Sequence, residues 1–214
     1  MRLITLKQRL RTYNKSDVYS KVYDKANLIY IHIPKAAGTS ICDAIFRDDP
    51  WHFSADELRF INRKKFDTYK KIAFVRNPID RIVSTYLYSK THIEKNPNTS
   101  INFLKDVDSI DDFVERFLDA KLVEEHYFFW TQDLYIGDEV SFIGKFENIK
   151  SDFIKLKDSF GIKNDIEHKN KSKKSKEIIN IKKSNLDKII DLYSKDFERF
   201  GYDKSATSNV KVTE

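Results

Sequence analysis

The feature that most restricts the fold of this 214-residue chain is a short apolar run followed by a loop of small residues. The run is Leu28–Ile33, and Pro34 closes it. A continuous apolar run of this length is typical of a strand buried in a parallel sheet. A helix is predicted directly after the loop, over Thr39–Phe46. The order of strand, loop and helix predicts an α/β fold.

The rest of the chain continues the alternation of helices and strands. The later predicted elements are a helix from Ala55 to about Lys65, a strand at Ile72–Val75, a helix begun by Asn77 and Pro78, a strand at Val140–Phe146, and helices at Phe153–Phe160 and Leu186–Phe200. Their ends follow from N-cap residues, first-turn proline and C-terminal glycines. The alternation predicts a sheet with helices packed on it.

Length and composition predict one soluble domain over residues 1–214, with 1–25 as an N-terminal arm and 203–214 as a loose tail. A net charge of +6 indicates an anionic partner. The only cysteine, Cys42, excludes an internal disulfide framework and a multi-cysteine metal site, which fits a reducing compartment. We therefore expect a cytoplasmic protein.

The first thirteen residues contain no apolar segment of a signal peptide and none long enough to span a membrane. Leu3, Leu6 and Leu10 form a short apolar stripe beside several basic residues. Such a stripe could touch an anionic membrane surface, or it could belong to an ordinary docking helix. Peripheral membrane contact is therefore one expectation for this arm, and no transmembrane segment is expected.

The loop after the first strand has the properties of a phosphate cradle. Small residues at 36–38 let backbone N–H groups close on an anion, and the following helix adds the positive end of its dipole. Thr39 and Ser40 add hydroxyl donors. The loop is not a nucleoside-triphosphate P-loop, because Lys35 lies three residues before Gly38 and no glycine opens it. The alternative is a plain turn between strand and helix.

A second segment that is predicted to bind a phosphate begins where the next strand ends. Arg76 leaves this strand at the carboxyl edge of the sheet, where α/β folds bind ligands, and its guanidinium can hold a phosphate bidentately. Ser84 shares a helix face with Asp80 and Tyr88, away from the apolar stripe. The alternative is that Arg76 pairs with Asp80 to hold the turn.

At both segments, the chain resembles the carbohydrate sulfotransferases that use 3'-phosphoadenosine 5'-phosphosulfate (PAPS), a family with heparan sulfate 2-O enzymes and many bacterial members. His32–Ser40 is similar to its 5'-phosphosulfate loop, with alanines at two positions that are commonly threonine and glycine. Arg76–Ser84 is similar to its 3'-phosphate motif. Further matches are His126–Gln132, Gly144–Asn148 and Tyr193–Tyr202. The likeness covers most of the chain.

The resemblance implies a P-loop NTPase-like sulfotransferase fold, in which helices flank a central parallel sheet of about five strands. It implies PAPS as the donor, adenosine 3',5'-bisphosphate as the product, and no metal requirement. The residues that it places on the donor are Lys35, Ala36, Ala37, Gly38, Thr39, Ser40, Arg76, Ser84, Lys171 and Ser172. The last two lie in a lysine-rich stretch at 169–176, for which a solvated linker is the alternative.

The resemblance also implies catalytic roles. Lys35 would neutralise charge on the bridging oxygen as the bond to sulfur breaks. His52 is the candidate base for the acceptor hydroxyl, because related enzymes often carry a histidine before a similar helix start. Ser54 and Glu57 form a predicted capping box that would anchor this turn. The alternative for His52 is packing beside Trp51.

The acceptor is the least defined part of the prediction. The resemblance suggests that the acceptor is a saccharide or a glycolipid. The richness in lysine, isoleucine and asparagine is typical of proteins from AT-rich bacterial genomes. In a bacterium, a surface polysaccharide is a plausible acceptor. Glu57, His126 and Gln132 are candidates for substrate contact, and Glu57, His126 and His92 are reserve bases. Aromatic residues at 127–130 could stack on sugar rings, although such runs are more often core.

Two other functional classes share some of these features. A P-loop kinase would share the cradle, but the position of Lys35 and the arginine at the end of the second strand count against it. A nucleic-acid-binding module would explain the basic charge, but the lysines do not alternate with aromatic residues as in a stacking platform. We therefore expect no nucleic-acid partner. The sequence does not indicate an oligomeric state.

Overall fold

The fold was analysed in a computed structural model, which describes residues 5–13, 15, 17–166, 178–205, 207–208 and 210–214. The chain divides into two compact units. The first unit comprises Met1–Arg76 and Gln132–Asn170, and the second comprises Asn77–Thr131 and Lys171–Glu214. No helix among the described residues combines the length and the hydropathy needed to cross a membrane.

Strands are separated along the chain by one or more helices, and several helices follow one another directly. In order, they are α1 (Leu6–Thr12), β1 (Leu28–Ile31), α2 (Gly38–Phe46), α3 (Ala55–Ile61), α4 (Arg63–Thr68), β2 (Lys70–Val75), α5 (Pro78–Lys95), α6 (Ile110–Arg116), α7 (Ala120–Glu125), α8 (Gln132–Tyr135), β3 (Phe142–Lys145), α9 (Ile149–Phe160), β4 (Ile179–Lys182), α10 (Lys183–Leu192), α11 (Ser194–Phe200) and β5 (Val210–Thr213). Short π-helical and 3₁₀ segments lie at Tyr19–Tyr23, Asn102–Leu104 and Phe146–Asn148.

The first unit is built on a parallel sheet with strand order β1-β2-β3. Tyr30 is paired with Ile72, and Ile72 with Phe142, so the carboxyl ends of the three strands lie at one edge. All four residues of β1 are buried, as its apolar run predicted. The sheet therefore presents the loop after β1 and the residue after β2 at the same edge.

The prediction of about five strands in one sheet was wrong for the described residues. This sheet has three strands, and β4 and β5 form a separate parallel pair in the second unit. The burial patterns explain the separation. Only Ile181 of β4 is fully buried, whereas a central strand of a parallel sheet is covered on both faces. β4 therefore has the pattern of a strand at a sheet edge.

The N-terminal arm is shorter than predicted. Tyr19 and Tyr23 belong to a π-helical turn and are almost fully buried. Their hydroxyls donate to backbone oxygens of the first unit, Tyr19 to Leu58 and Tyr23 to Tyr30, both at 3.0 Å. Val18, Tyr19, Val22 and Tyr23 are thus part of the core. Buried aromatic side chains with satisfied hydroxyls stabilise a fold strongly.

Several helix ends have the predicted caps. The Asn77 side chain accepts from the backbone N–H groups of Ile79 and Asp80 at the start of α5. Gly161 and Gly201 adopt left-handed backbone conformations after α9 and α11, with φ of 67° and 61°. Glycine adopts this conformation without steric cost, which is why both helices end there.

Two predictions for the second unit were wrong. The single helix predicted over 186–200 is two helices, α10 and α11, which break at Tyr193. The Tyr193 hydroxyl is buried and donates to the backbone oxygen of Phe129 at 2.6 Å, a tertiary bond that local pattern cannot reveal. The tail was expected to be loose, but β5 pairs with β4. Ser208 also donates from its backbone and hydroxyl to Asp80.

Candidate functional site

The loop between β1 and α2 carries the first group of predicted site residues, and its backbone is unusual. Lys35 and Ala37 both adopt positive φ, at 66° and 68°. A non-glycine residue in this region costs on the order of 1–2 kcal/mol, and such strain concentrates at functional sites. Ala37 is also the N-cap of α2 and provides no side-chain cap. The first turn of α2 therefore directs its backbone N–H groups at this edge without a capping side chain.

Gly38 is the glycine that this loop requires sterically. A Cβ atom at this position would lie 1.7 Å from Nε2 of His32 and 1.9 Å from its Cδ2. The His32 ring is buried against the start of α2, and its Nδ1 lies 3.0 Å from Oδ1 of Asp49. His32 therefore holds the loop in place.

Lys35 and Arg76 bring two positive charges to this edge. Nη1 of Arg76 donates to the backbone oxygen of Lys35 at 3.4 Å, and Arg76 is buried. Burial, together with the neighbouring Arg76 charge, lowers the pKa of Lys35 to about 8. Like charges repel, so holding them together in a partly buried place costs free energy. An anion at this edge would remove that cost.

Gln132 and Phe146 fix the position of Arg76. The Gln132 side chain accepts from the Arg76 backbone N–H and donates to its backbone oxygen, both at 2.8 Å. The Arg76 guanidinium lies over the Phe146 ring, 4.3 Å from its centroid. Gln132 was a candidate for substrate contact, but the structure shows its amide engaged with the Arg76 backbone and fully buried. It is a positioning residue that sequence reasoning did not identify.

His52, the candidate base, lies beside the loop. Its Nδ1 lies 3.0 Å from the backbone oxygen of His32, and since a carbonyl only accepts, Nδ1 carries the proton. Nε2 is then the nitrogen with the lone pair. Burial, followed by repulsion from His32, lowers the pKa of His52 to about 3. The ring is therefore neutral at physiological pH, which is the state that a general base needs.

The turn that carries His52 is anchored as predicted. Ser54 and Glu57 form a capping box at the start of α3, in which the Glu57 carboxylate accepts from the backbone and hydroxyl of Ser54. Arg11 donates to Glu57 at 2.9 Å and to the backbone oxygen of His52 at 2.7 Å. Burial raises the pKa of Glu57, which Arg11 opposes. Glu57 is fully buried, so these contacts make it an anchor of the turn.

Other predicted site residues belong to the second unit. Ser84 lies half-buried on α5, and the apolar residues of that helix at 79, 82, 83 and 86 are buried as predicted. His126 follows α7; its Nε2 lies 3.0 Å from the Ser100 hydroxyl, and its Nδ1 accepts from the backbone of Phe128. Lys171 and Ser172, with the rest of the lysine-rich stretch, lie outside the described residues.

The first unit thus combines a strained loop at a helix N-terminus, two cations and a neutral histidine. A sequence profile of the sulfotransferase family matches residues 19–203, most of the chain. The chain belongs to the sulfotransferase family. Comparisons with curated proteins and with solved structures returned no match. As a sulfotransferase, it is a transferase that moves a sulfuryl group.

Some features of the site in this sulfotransferase can be predicted from the sequence, and others cannot. The loop and Arg76 were found because glycine, alanine and arginine follow predicted strands. The pairing of Gln132 with the Arg76 backbone had no local signal, because 56 residues separate the two positions. Asp49, which contacts His32, was likewise not identified. Both contacts depend on tertiary packing.

Proposed function

We propose that this sulfotransferase transfers a sulfuryl group from PAPS to a hydroxyl of a saccharide or glycoconjugate and releases adenosine 3',5'-bisphosphate. The observation that carries the proposal is the pair of cations, Lys35 and Arg76, held together at the carboxyl edge of β1 and β2. A donor with a phosphosulfate and a second phosphate supplies enough negative charge to offset their repulsion. The family generally uses this donor.

The proposed donor contacts follow the two segments. Backbone N–H groups at residues 36–38 and the hydroxyls of Thr39 and Ser40 would bind the 5'-phosphosulfate at the N-terminus of α2. Arg76 would bind the 3'-phosphate, and the resemblance assigns Ser84 to the same group. Lys171 and Ser172 are assigned to the nucleotide on the same ground.

The proposed reaction is an in-line attack of the acceptor oxygen on sulfur. A bond forms between the acceptor oxygen and sulfur, while the bond from sulfur to the bridging oxygen breaks and leaves adenosine 3',5'-bisphosphate. Lys35 stabilises the charge that builds on the bridging oxygen. The hydroxyl proton passes to Nε2 of His52 and then to solvent. The anionic donor also raises the low pKa of His52 when bound, which makes it a stronger base.

A saccharide acceptor is supported by the resemblance and by aromatic rings on the second unit. Tyr88 is 38% exposed, and its ring stacks on that of Phe128 with centroids 5.7 Å apart. The His126 ring stacks on Tyr127 with centroids 5.3 Å apart. Aromatic faces of this kind pack against the apolar faces of sugars.

Calorimetric titration of adenosine 3',5'-bisphosphate tests the donor site. Binding without added metal is expected for the wild type, and Arg76→Ala should abolish it. Arg63→Ala is the matched control, because Arg63 is an exposed arginine of the same unit that pairs with Asp67 within α4. Preference for ATP with magnesium, or equal loss in both variants, would refute the proposed donor site.

A transfer assay with PAPS carrying radiolabelled sulfur tests the reaction. Label is expected to appear on a saccharide rather than on a phenol or a tyrosine peptide. His52→Ala should lower kcat by about 10²–10⁴-fold while the affinity for adenosine 3',5'-bisphosphate stays unchanged. Transfer at the wild-type rate in this variant would exclude His52 as the base.

A further inference from the structure

A cluster of side chains that can bind a metal lies next to the loop between β1 and α2. His32, Cys42 and Asp49 each direct one ligand atom to a common place, and these atoms lie within 4.8 Å of one another. Nδ1 of His32 is 3.0 Å from Oδ1 of Asp49 and 3.9 Å from Sγ of Cys42. The three residues come from the end of β1, from α2 and from the segment after α2, so tertiary structure brings them together.

The distances between the three ligand atoms fit a tetrahedral cation site after a small movement of the side chains. Bond lengths of about 2.0–2.3 Å to nitrogen, oxygen and sulfur place ligand atoms roughly 3.2–3.6 Å apart. The distances from Nδ1 of His32 lie within about 0.3 Å of this range. The ligand atoms of Cys42 and Asp49, which lie within 4.8 Å of each other, must approach by at most about 1.2 Å, which rotation of the exposed Asp49 side chain can supply. His32 and Cys42 are buried, whereas 57% of the Asp49 side chain is exposed. The cluster is thus reached from solvent at Asp49.

An orphaned hydroxyl gives an independent reason to expect a ligand here. Tyr30 is fully buried, and its hydroxyl has no hydrogen-bond partner among the described residues. The Tyr30 ring stacks on His32 with centroids 5.6 Å apart. A buried hydroxyl without a partner costs about 1–3 kcal/mol, which a ligand would offset.

We propose that His32, Cys42 and Asp49 bind a divalent cation of the zinc type, with a water in the fourth position that the Tyr30 hydroxyl contacts. A thiolate, an imidazole and a carboxylate are ligands that zinc accepts. Binding displaces the proton of the Cys42 thiol to solvent, and the proton on Nδ1 of His32 moves to Nε2. The two negative ligands neutralise the cation, as a buried charge requires.

The site would act on the loop through His32. The ring that supplies Nδ1 to the cation also packs against Gly38, the first residue of α2. A bound cation fixes this ring and so fixes the loop that Lys35 and Ala37 hold in a strained conformation. This role is separate from sulfuryl transfer, for which no metal was predicted, and it does not depend on the identity of the donor.

Cobalt titration of the reduced full-length chain tests the site. Cys42 is the only cysteine, so a thiolate-to-cobalt charge-transfer band can arise from no other residue. One equivalent of cobalt should produce the band, and zinc should remove it. Cys42→Ser should abolish the band, and Asp49→Asn should weaken binding by more than the ~10- to 100-fold that loss of an outer partner costs.

Asp17→Asn is the matched control, because Asp17 is an acidic residue of the same unit that lies outside the cluster and pairs with Lys21. It should bind cobalt as the wild type does, and Tyr30→Phe should weaken binding by about 10-fold or more. Asp49 is exposed, so its variant tests the ligand set even if Cys42→Ser does not fold. Absence of the band in folded wild type, or unchanged affinity in Asp49→Asn, would overturn the proposal.

Discussion

Replacing Gly38 with alanine places two opposing effects at one position. Gly38 begins α2, and alanine in a helix is favoured over glycine by up to about 1 kcal/mol. The new Cβ would, however, lie 1.7 Å from Nε2 of His32, far inside van der Waals contact. Helix propensity predicts a more stable protein, whereas the steric contact predicts a less stable one. The sign of the change in the free energy of unfolding therefore shows which effect is larger.

The structure indicates that the steric effect is larger. The His32 ring is buried and its Nδ1 is held by Asp49, so the ring cannot move without loss of that contact. Forcing extra volume into a packed place costs about 1–3 kcal/mol. After the gain in helix propensity, we expect a net loss of roughly 1–2 kcal/mol. For a chain of this length, that lowers Tm by about 2–8 °C.

Thermal unfolding of four proteins measures this balance: wild type, Gly38→Ala, His32→Ala and the double variant. In the His32→Ala background, the steric contact is gone, so the same glycine replacement should stabilise by up to about 1 kcal/mol. The effect of alanine at position 38 thus reverses its sign between the two backgrounds. Destabilisation of equal size in both backgrounds would refute the assignment of His32 as the contact.

Three further predictions concern the site and the tail. Affinity for adenosine 3',5'-bisphosphate should fall as pH rises through about 8, because Lys35 loses its charge there. Lys35→Arg should remove this pH dependence, since arginine stays charged. A wild-type affinity that is constant between about pH 7 and 9 would contradict this role of Lys35. Gln132→Leu removes the two buried hydrogen bonds between the Gln132 amide and the Arg76 backbone, so it should lower the free energy of unfolding, measured in urea, by about 1–3 kcal/mol per bond. Ser208→Ala should speed proteolysis of β5, because the hydroxyl bond to Asp80 is lost, and unchanged cleavage would show that this bond does not hold the strand.

The parts of the fold that sequence predicted are those with a local physical cause. β1 is a continuous apolar run, β2 ends in one at residues 72–75, and α5 begins at an asparagine cap followed by proline. The capping box of Ser54 and Glu57 was predicted from residue types at fixed spacing. Such features depend on neighbours within four residues, so the sequence contains the whole cause.

Some features had a local signal that was not used. Val210–Thr213 alternates apolar and polar residues, the period of a strand, although it lies in an expected tail. Val18, Tyr19, Val22 and Tyr23 recur at helical spacing inside the expected arm, and all are buried. Other features had no such signal, because the bonds of Gln132 and Tyr193 join residues more than fifty positions apart.

The same distinction explains why the loop was easier to find than the groups that hold it. Small residues after a strand indicate an anion site by themselves, but a strained backbone persists only where its surroundings determine it. Here those surroundings are the His32 ring against Gly38 and the contact of His32 with Asp49. A change at Asp49, outside the loop, should therefore alter the loop through His32. The loop between β1 and α2 therefore forms one unit with His32 and Asp49, and variants of Asp49 should be measured for affinity for adenosine 3',5'-bisphosphate as well as for cation binding.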